Sequence, residues 1–207
     1  MEPYQLEKII NYKALNRTIV KGGVLFTGSS LMEGFPVTEL CMTNNINKHV
    51  YNRGVSGFNS EQFIDEIDTM LFALEPSKIF INIGTNDMTG EPGWFEHLME
   101  NYDTIIDGVK NKLPDTEVYI MAFYPVCPSK ASNEWAQGAL TIRTQENIAK
   151  VNKALEEKAA RYNYHYIDVN NGLTEADGYT KEEYSIDGIH MYASGYQVVF
   201  ENVKKYI

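Results

Sequence analysis

The sequence predicts an α/β fold: a three-layer α/β/α sandwich with a mainly parallel five-stranded sheet at its centre. Three observations lead there. Five apolar runs of strand length recur along the chain, and segments with helical spacing of apolar residues lie between them. Several of the runs are apolar almost without alternation, as expected of strands covered on both faces. Strand, helix, strand in succession favours right-handed crossovers and hence parallel pairing.

The elements follow in order. Residues 6–15 read as an extra N-terminal helix, in an extension covering residues 1–20 of a single 1–207 domain. Residues 24–27 (Val-Leu-Phe-Thr) form the first strand and 49–52 the second. Phe63, Ile64, Ile67, Leu71 and Leu74 recur at three and four residues and predict a helix ended by Pro76. Residues 78–83 give the third strand. Phe95, Leu98, Tyr102, Ile105, Ile106, Val109 and Leu113 then trace a helix ended by Pro114. The fourth strand is 118–123, and Ile148, Val151, Leu155 and Ala159 mark the next helix. Residues 165–169 supply the fifth strand, and Tyr196, Val199, Phe200 and Val203 the closing helix. No repeat, low-complexity tract or linker divides the chain.

Composition narrows the function. The 207 residues carry 18 Lys and Arg against 28 Asp and Glu, a formal charge of −10. Such a surface repels nucleic acid and anionic membranes, so neither is an expected partner, and no stable membrane association is expected. Cys41 and Cys127 are far apart and read as reduced thiols. His49, His97 and His165 have no partner at ligand spacing, so neither a metal nor another cofactor is expected. The N-terminus lacks a signal-peptide pattern and no apolar run approaches the ~20 residues of a membrane span, which predicts a cytoplasmic protein. The oligomeric state is left open.

Open parallel sheets bind ligands beyond the carboxyl ends of their strands. Gly28-Ser29-Ser30-Leu31 follows the first strand there, Arg53-Gly54-Val55-Ser56-Gly57-Phe58 the second, and Gly84-Thr85-Asn86-Asp87 the third. Asp187-Gly188-Ile189-His190 precedes the last helix. Alone, each has a plain structural reading: Ser30, Asn86 and Asp87 as helix caps, Asp187-Gly188 as a turn. Together they supply what acyl transfer requires. A serine hydroxyl attacks when a base takes its proton, which suits Ser30 and His190. Asp187, three residues before His190, would fix the imidazole's tautomer and stabilise its charged form. The backbone N–H groups of Ser30 and Gly57 and the side-chain amide of Asn86 would receive the oxyanion.

These four blocks resemble the SGNH, or GDSL-like, hydrolases, which take their name from a Ser, a Gly, an Asn and a His in successive motifs. The resemblance places the nucleophile at Ser30, the oxyanion residues at Gly57 and Asn86, and the acid and base at Asp187 and His190. It implies a flavodoxin-like fold and metal-free hydrolysis of small acyl esters through an acyl-enzyme. One position departs: the usual Gly-Asp-Ser is Gly28-Ser29-Ser30 here, which makes Ser29 a competing nucleophile. Two loops bear on substrate, a long polar stretch at 125–138 that should hang over the site, and residues 88–94 beside it. Trp94 and Trp135 there either stack on a sugar ring or pack under the loops, packing being the reading preferred. The expected partner is a small-molecule ester, an acetylated carbohydrate or a short-chain lipid-like ester. Two rivals stand beside it. One is a flavin- or nucleotide-binding module cradling phosphate at Thr27-Gly28-Ser29-Ser30, and the other a non-catalytic carbohydrate-binding domain.

Overall fold

The computed structural model describes all residues, 1–207. Its sheet contains β1 (Val24–Gly28), β2 (Val50–Gly54), β3 (Lys78–Asn82), β4 (Glu117–Met121) and β5 (His165–Ile167), in the order β2-β1-β3-β4-β5 with every pair parallel. The order reverses at β1, so the loops after β1 and β3 flank the crevice where such sheets bind ligands.

Helices cover both faces. One layer takes α1 (Pro3–Leu15), α4 (Ser60–Asp65), α5 (Ile67–Met70), α6 (Trp94–Lys112) and α8 (Gln145–Tyr162), which bury Ile9, Phe63, Met70, Tyr102 and Leu155 against Leu25, Ile79, Ile81 and Ile120. The other takes α2 (Ser30–Glu33), α3 (Val37–Thr43) and α9 (Ala193–Val203), with Met32, Val37 and Phe200 packed on Phe26, Phe80 and Tyr119. On that face the rings of Phe26, Phe80, Tyr119 and His165, one from each of four adjacent strands in register, stack at 4.5, 4.7 and 4.6 Å. His165 is thus a structural residue.

Three elements differ from the sequence expectation. The helix expected across residues 63–74 is broken into α4, α5 and a turn at Phe72–Leu74. At the end of α5 a side chain takes a helix carbonyl: Asn16 Nδ2 donates to Thr69 O at 2.7 Å. The 125–138 stretch is not a plain loop. It holds a turn at Pro128–Lys130 and α7 (Glu134–Leu140), started by Asn133, whose side chain accepts the Ala136 N–H at 2.8 Å. Helix α1 begins earlier than expected and faces inward with Gln5, Ile9 and Tyr12, leaving Leu6, Ile10 and Leu15 exposed.

Candidate active site

The site begins where β1 ends. Gly28 has φ +154°, and a Cβ there would lie 1.9 Å from Asn82 O, so the chain can leave the strand this sharply only with glycine. Ser29 follows with its hydroxyl fully buried and without a hydrogen-bond partner. Ser30 opens α2, and its Oγ lies 3.0 Å from His190 Nε2. The other ring nitrogen, Nδ1, lies 2.7 Å from Asp187 Oδ2. Asp187 Oδ1 accepts the N–H of Ile189 at 3.0 Å and of His190 at 2.8 Å. Gly188, at φ +97°, makes this tight turn possible. Burial alone would raise the Asp187 pKa, but the bonds from His190 and Ile189 outweigh it and hold the carboxyl below its ordinary value.

The loops after the first three strands are bonded to one another at the same edge. Gly28 O accepts from Val55 N at 3.0 Å, and Phe58 O from Asn86 Nδ2 at 2.8 Å. Gly57 lies exposed between them at φ +78°, with an N–H that finds no acceptor in the protein. The Ser30 N–H, at the first position of α2, likewise has no partner within its helix. The peptide before Gly57 is held on both sides. Ser56 O accepts from Gln5 Nε2 at 2.9 Å and Tyr4 Oη at 3.2 Å. Ser56 N donates to Glu33 Oε2 at 2.6 Å, and Lys8 pairs with Glu33 at 2.9 Å. Burial works against the Glu33 charge, yet Lys8 and Ser56 bring its pKa below the ordinary value.

Asn86 sits in the turn Thr85–Asp87 after β3. Its Oδ1 accepts from Arg143 Nη2 at 2.9 Å. Asp87 does cap a helix, though not the one following it in sequence: its carboxylate takes the N–H and hydroxyl of Ser60 at the start of α4. Burial raises the Asp87 pKa.

The two tryptophans part company. Trp94 is half-buried at the start of α6, edge-on to Phe95, beside a cavity of about 250 Å³ lined also by Asn59, Glu61, Asn86, Glu91 and His97. Trp135, on α7, does not pack under a loop: it is 55% exposed and lies parallel to the His190 ring, 5.9 Å between centroids and 9° between planes. The sequence reading missed Arg143, Glu33 and Gln5. Gln5 alone left a trace, a polar residue in phase with Ile9 and Tyr12 on the inward face of α1.

The model of the GDSL-like lipase/acylhydrolase family matches residues 26–198. The chain belongs to this family. Among solved structures, a Streptococcus pneumonia protein provisionally named a platelet activating factor is 31% identical, with TM-score 0.85 over 98% of this chain and 92% of its own. A GDSL-like lipase from Bacteroides thetaiotaomicron is 20% identical, with TM-score 0.77 over 96% of each chain. A catalytic mutant of an acetylxylan esterase from Geobacillus stearothermophilus is 13% identical, with TM-score 0.62 over 90% of this chain and 94% of its own, and shares the fold. No curated protein matches the sequence. The family's three-layer α/β/α architecture is the one described above, with helices on both faces of a five-stranded parallel sheet.

Proposed function

We propose that this GDSL-like acylhydrolase is a serine esterase that removes acetyl or other short acyl groups through an acyl-enzyme. The observation that carries the reading is the unbroken line from Ser30 Oγ to His190 to Asp187, at 3.0 and 2.7 Å. His190 Nε2 takes the Ser30 proton as Oγ bonds to the ester carbonyl carbon. The carbonyl oxygen becomes an oxyanion, received by the N–H groups of Ser30 and Gly57 and the Asn86 amide. Collapse breaks the bond to the alcohol, which leaves with the proton from His190. Water then repeats the sequence on the acyl-Ser30 ester and releases the acid. Asp187 keeps Nδ1 protonated and balances the imidazolium. No cofactor enters this scheme.

Trp135 supports a ring-bearing alcohol such as a sugar. The leaving oxygen must sit beside His190 Nε2, and the exposed indole lies flat along that ring. The cavity beside Asn86 holds only about 250 Å³, which suits a short acyl ester better than a long acyl chain. An acetylated carbohydrate fits both, and an acetylxylan esterase has the same fold as this chain. No helix is long and apolar enough to cross a membrane, and the charge of −10 favours a freely diffusing neutral substrate over nucleic acid or an anionic lipid surface.

The test is hydrolysis of p-nitrophenyl acetate and butyrate by wild type, Ser30→Ala and Ser29→Ala, with fluorophosphonate labelling in parallel. Turnover and labelling should vanish only in Ser30→Ala. Their persistence in Ser30→Ala, with loss in Ser29→Ala, would move the nucleophile by one residue. Folded wild-type protein with neither activity nor labelling would favour a non-catalytic carbohydrate-binding role.

A further inference from the structure

Arg143 lies in the short connection between α7 and α8, only 8% exposed, and forms no ion pair. Its one side-chain hydrogen bond is the Nη2 contact to Asn86 Oδ1 at 2.9 Å, and its Nε has no partner at all. A buried guanidinium without a carboxylate is costly to keep. Burial works against its charge, and Asp187 works in its favour.

The contact determines what Asn86 can do. A guanidinium only donates and the Phe58 carbonyl only accepts, so the Asn86 amide has one orientation, Oδ1 toward Arg143 and Nδ2 toward Phe58. One Nδ2 hydrogen serves Phe58 O, and the other remains free. A cation on Oδ1 also draws electron density through the amide and makes that N–H a stronger donor. We infer that Arg143 is a positioning residue of the oxyanion site, holding and polarising the Asn86 amide so that its free N–H meets the developing charge. This rests on the esterase reading of Ser30 and His190.

The experiment is a double-mutant cycle on p-nitrophenyl acetate with Arg143→Met, Asn86→Ala and the pair. Arg143→Met should lower kcat about 10–100-fold, less than the roughly 10²–10³ that outright loss of one oxyanion donor costs, with KM changed less than about twofold. On the Asn86→Ala background the same change should cost less than about twofold, because the amide it acts through is gone. Equal losses on both backgrounds, or a rise in KM at constant kcat, would overturn the inference while leaving the esterase reading intact. Arg143→Gln, which retains a donor and removes the charge, serves the same cycle if Arg143→Met does not fold. Failure of both to fold would assign Arg143 to structure and overturn the inference. The Asn86 side-chain amide resonances give a readout that needs no turnover. They should be well separated in wild type and converge in the folded Arg143 variant, and unchanged resonances would count against the inference.

Discussion

Both carboxylate oxygens of Asp187 are engaged within three residues of the chain, one by the His190 ring and one by two backbone N–H groups. The carboxylate is therefore held by the backbone whatever the His190 ring does, and the imidazole is oriented by a group that cannot swing away. Asp187→Asn should keep much of the turn but offer Nδ1 a donor as readily as an acceptor, favouring the wrong tautomer. By analogy with other triads kcat should fall by up to roughly 10⁴ with KM little changed, measured on p-nitrophenyl acetate. Asn86→Ala should lower kcat by about 10²–10³, again with a small effect on KM. Wild-type kinetics in both variants would refute the mechanism. These residues were legible in the sequence because each lies just beyond a strand end or in the block before the last helix, where sheet topology already directs attention. Arg143 was not, because its role comes from a contact with Asn86 across 57 positions and from no motif around it.

Helix α1 turns out to be part of the site's scaffold. Tyr4 and Gln5 fix the Ser56–Gly57 peptide that would present one oxyanion donor, and Lys8 acts on the residue before it through Glu33 of α2, which holds Ser56 N. Gln5→Ala removes a buried donor and should destabilise the fold by about 1–2 kcal/mol by urea unfolding. It should also lower kcat more than it raises KM, whereas an unaltered kcat would confine α1 to a packing role. The approach of α2 to β2 is equally constrained. A Cβ on Gly54 would lie 2.1 Å from Glu33 N and 2.6 Å from Glu33 Cα, backbone atoms that cannot swing aside. Gly54→Ala should cost roughly 2–3 kcal/mol or more. At this scale the five strands were readable because buried parallel strands are continuously apolar. The break at Glu66 between α4 and α5 was not, since the apolar spacing runs straight through it, and neither was the end of α5, where Asn16, distant in sequence, takes the Thr69 carbonyl. The short α7 was likewise hidden, its polar sequence offering only the Asn133 cap as a signal.

Across the whole molecule, three carboxylates set opposing pH dependences. Glu33 and Asp187 have folded values below the ordinary ones, so the folded state binds fewer protons than the unfolded chain. Their stabilisation is present above the usual carboxylate range and is lost as pH falls through those lower values. Asp87, raised by burial, acts in the other direction, since its protonation in the folded state offsets part of that loss. Urea midpoints followed between about pH 3 and 5 should therefore fall less steeply in Glu33→Gln than in wild type. An identical slope would mean that Glu33 is not held below its ordinary value. The parallel pairing of Trp135 with His190 also makes the protein its own indicator. The chain has two tryptophans, one against the imidazole and the other lining the cavity beside Asn86. A charged imidazole quenches a neighbouring indole more than a neutral one does. Intrinsic fluorescence would thus track protonation and occupancy with no added dye, and Trp135→Phe would separate the two signals.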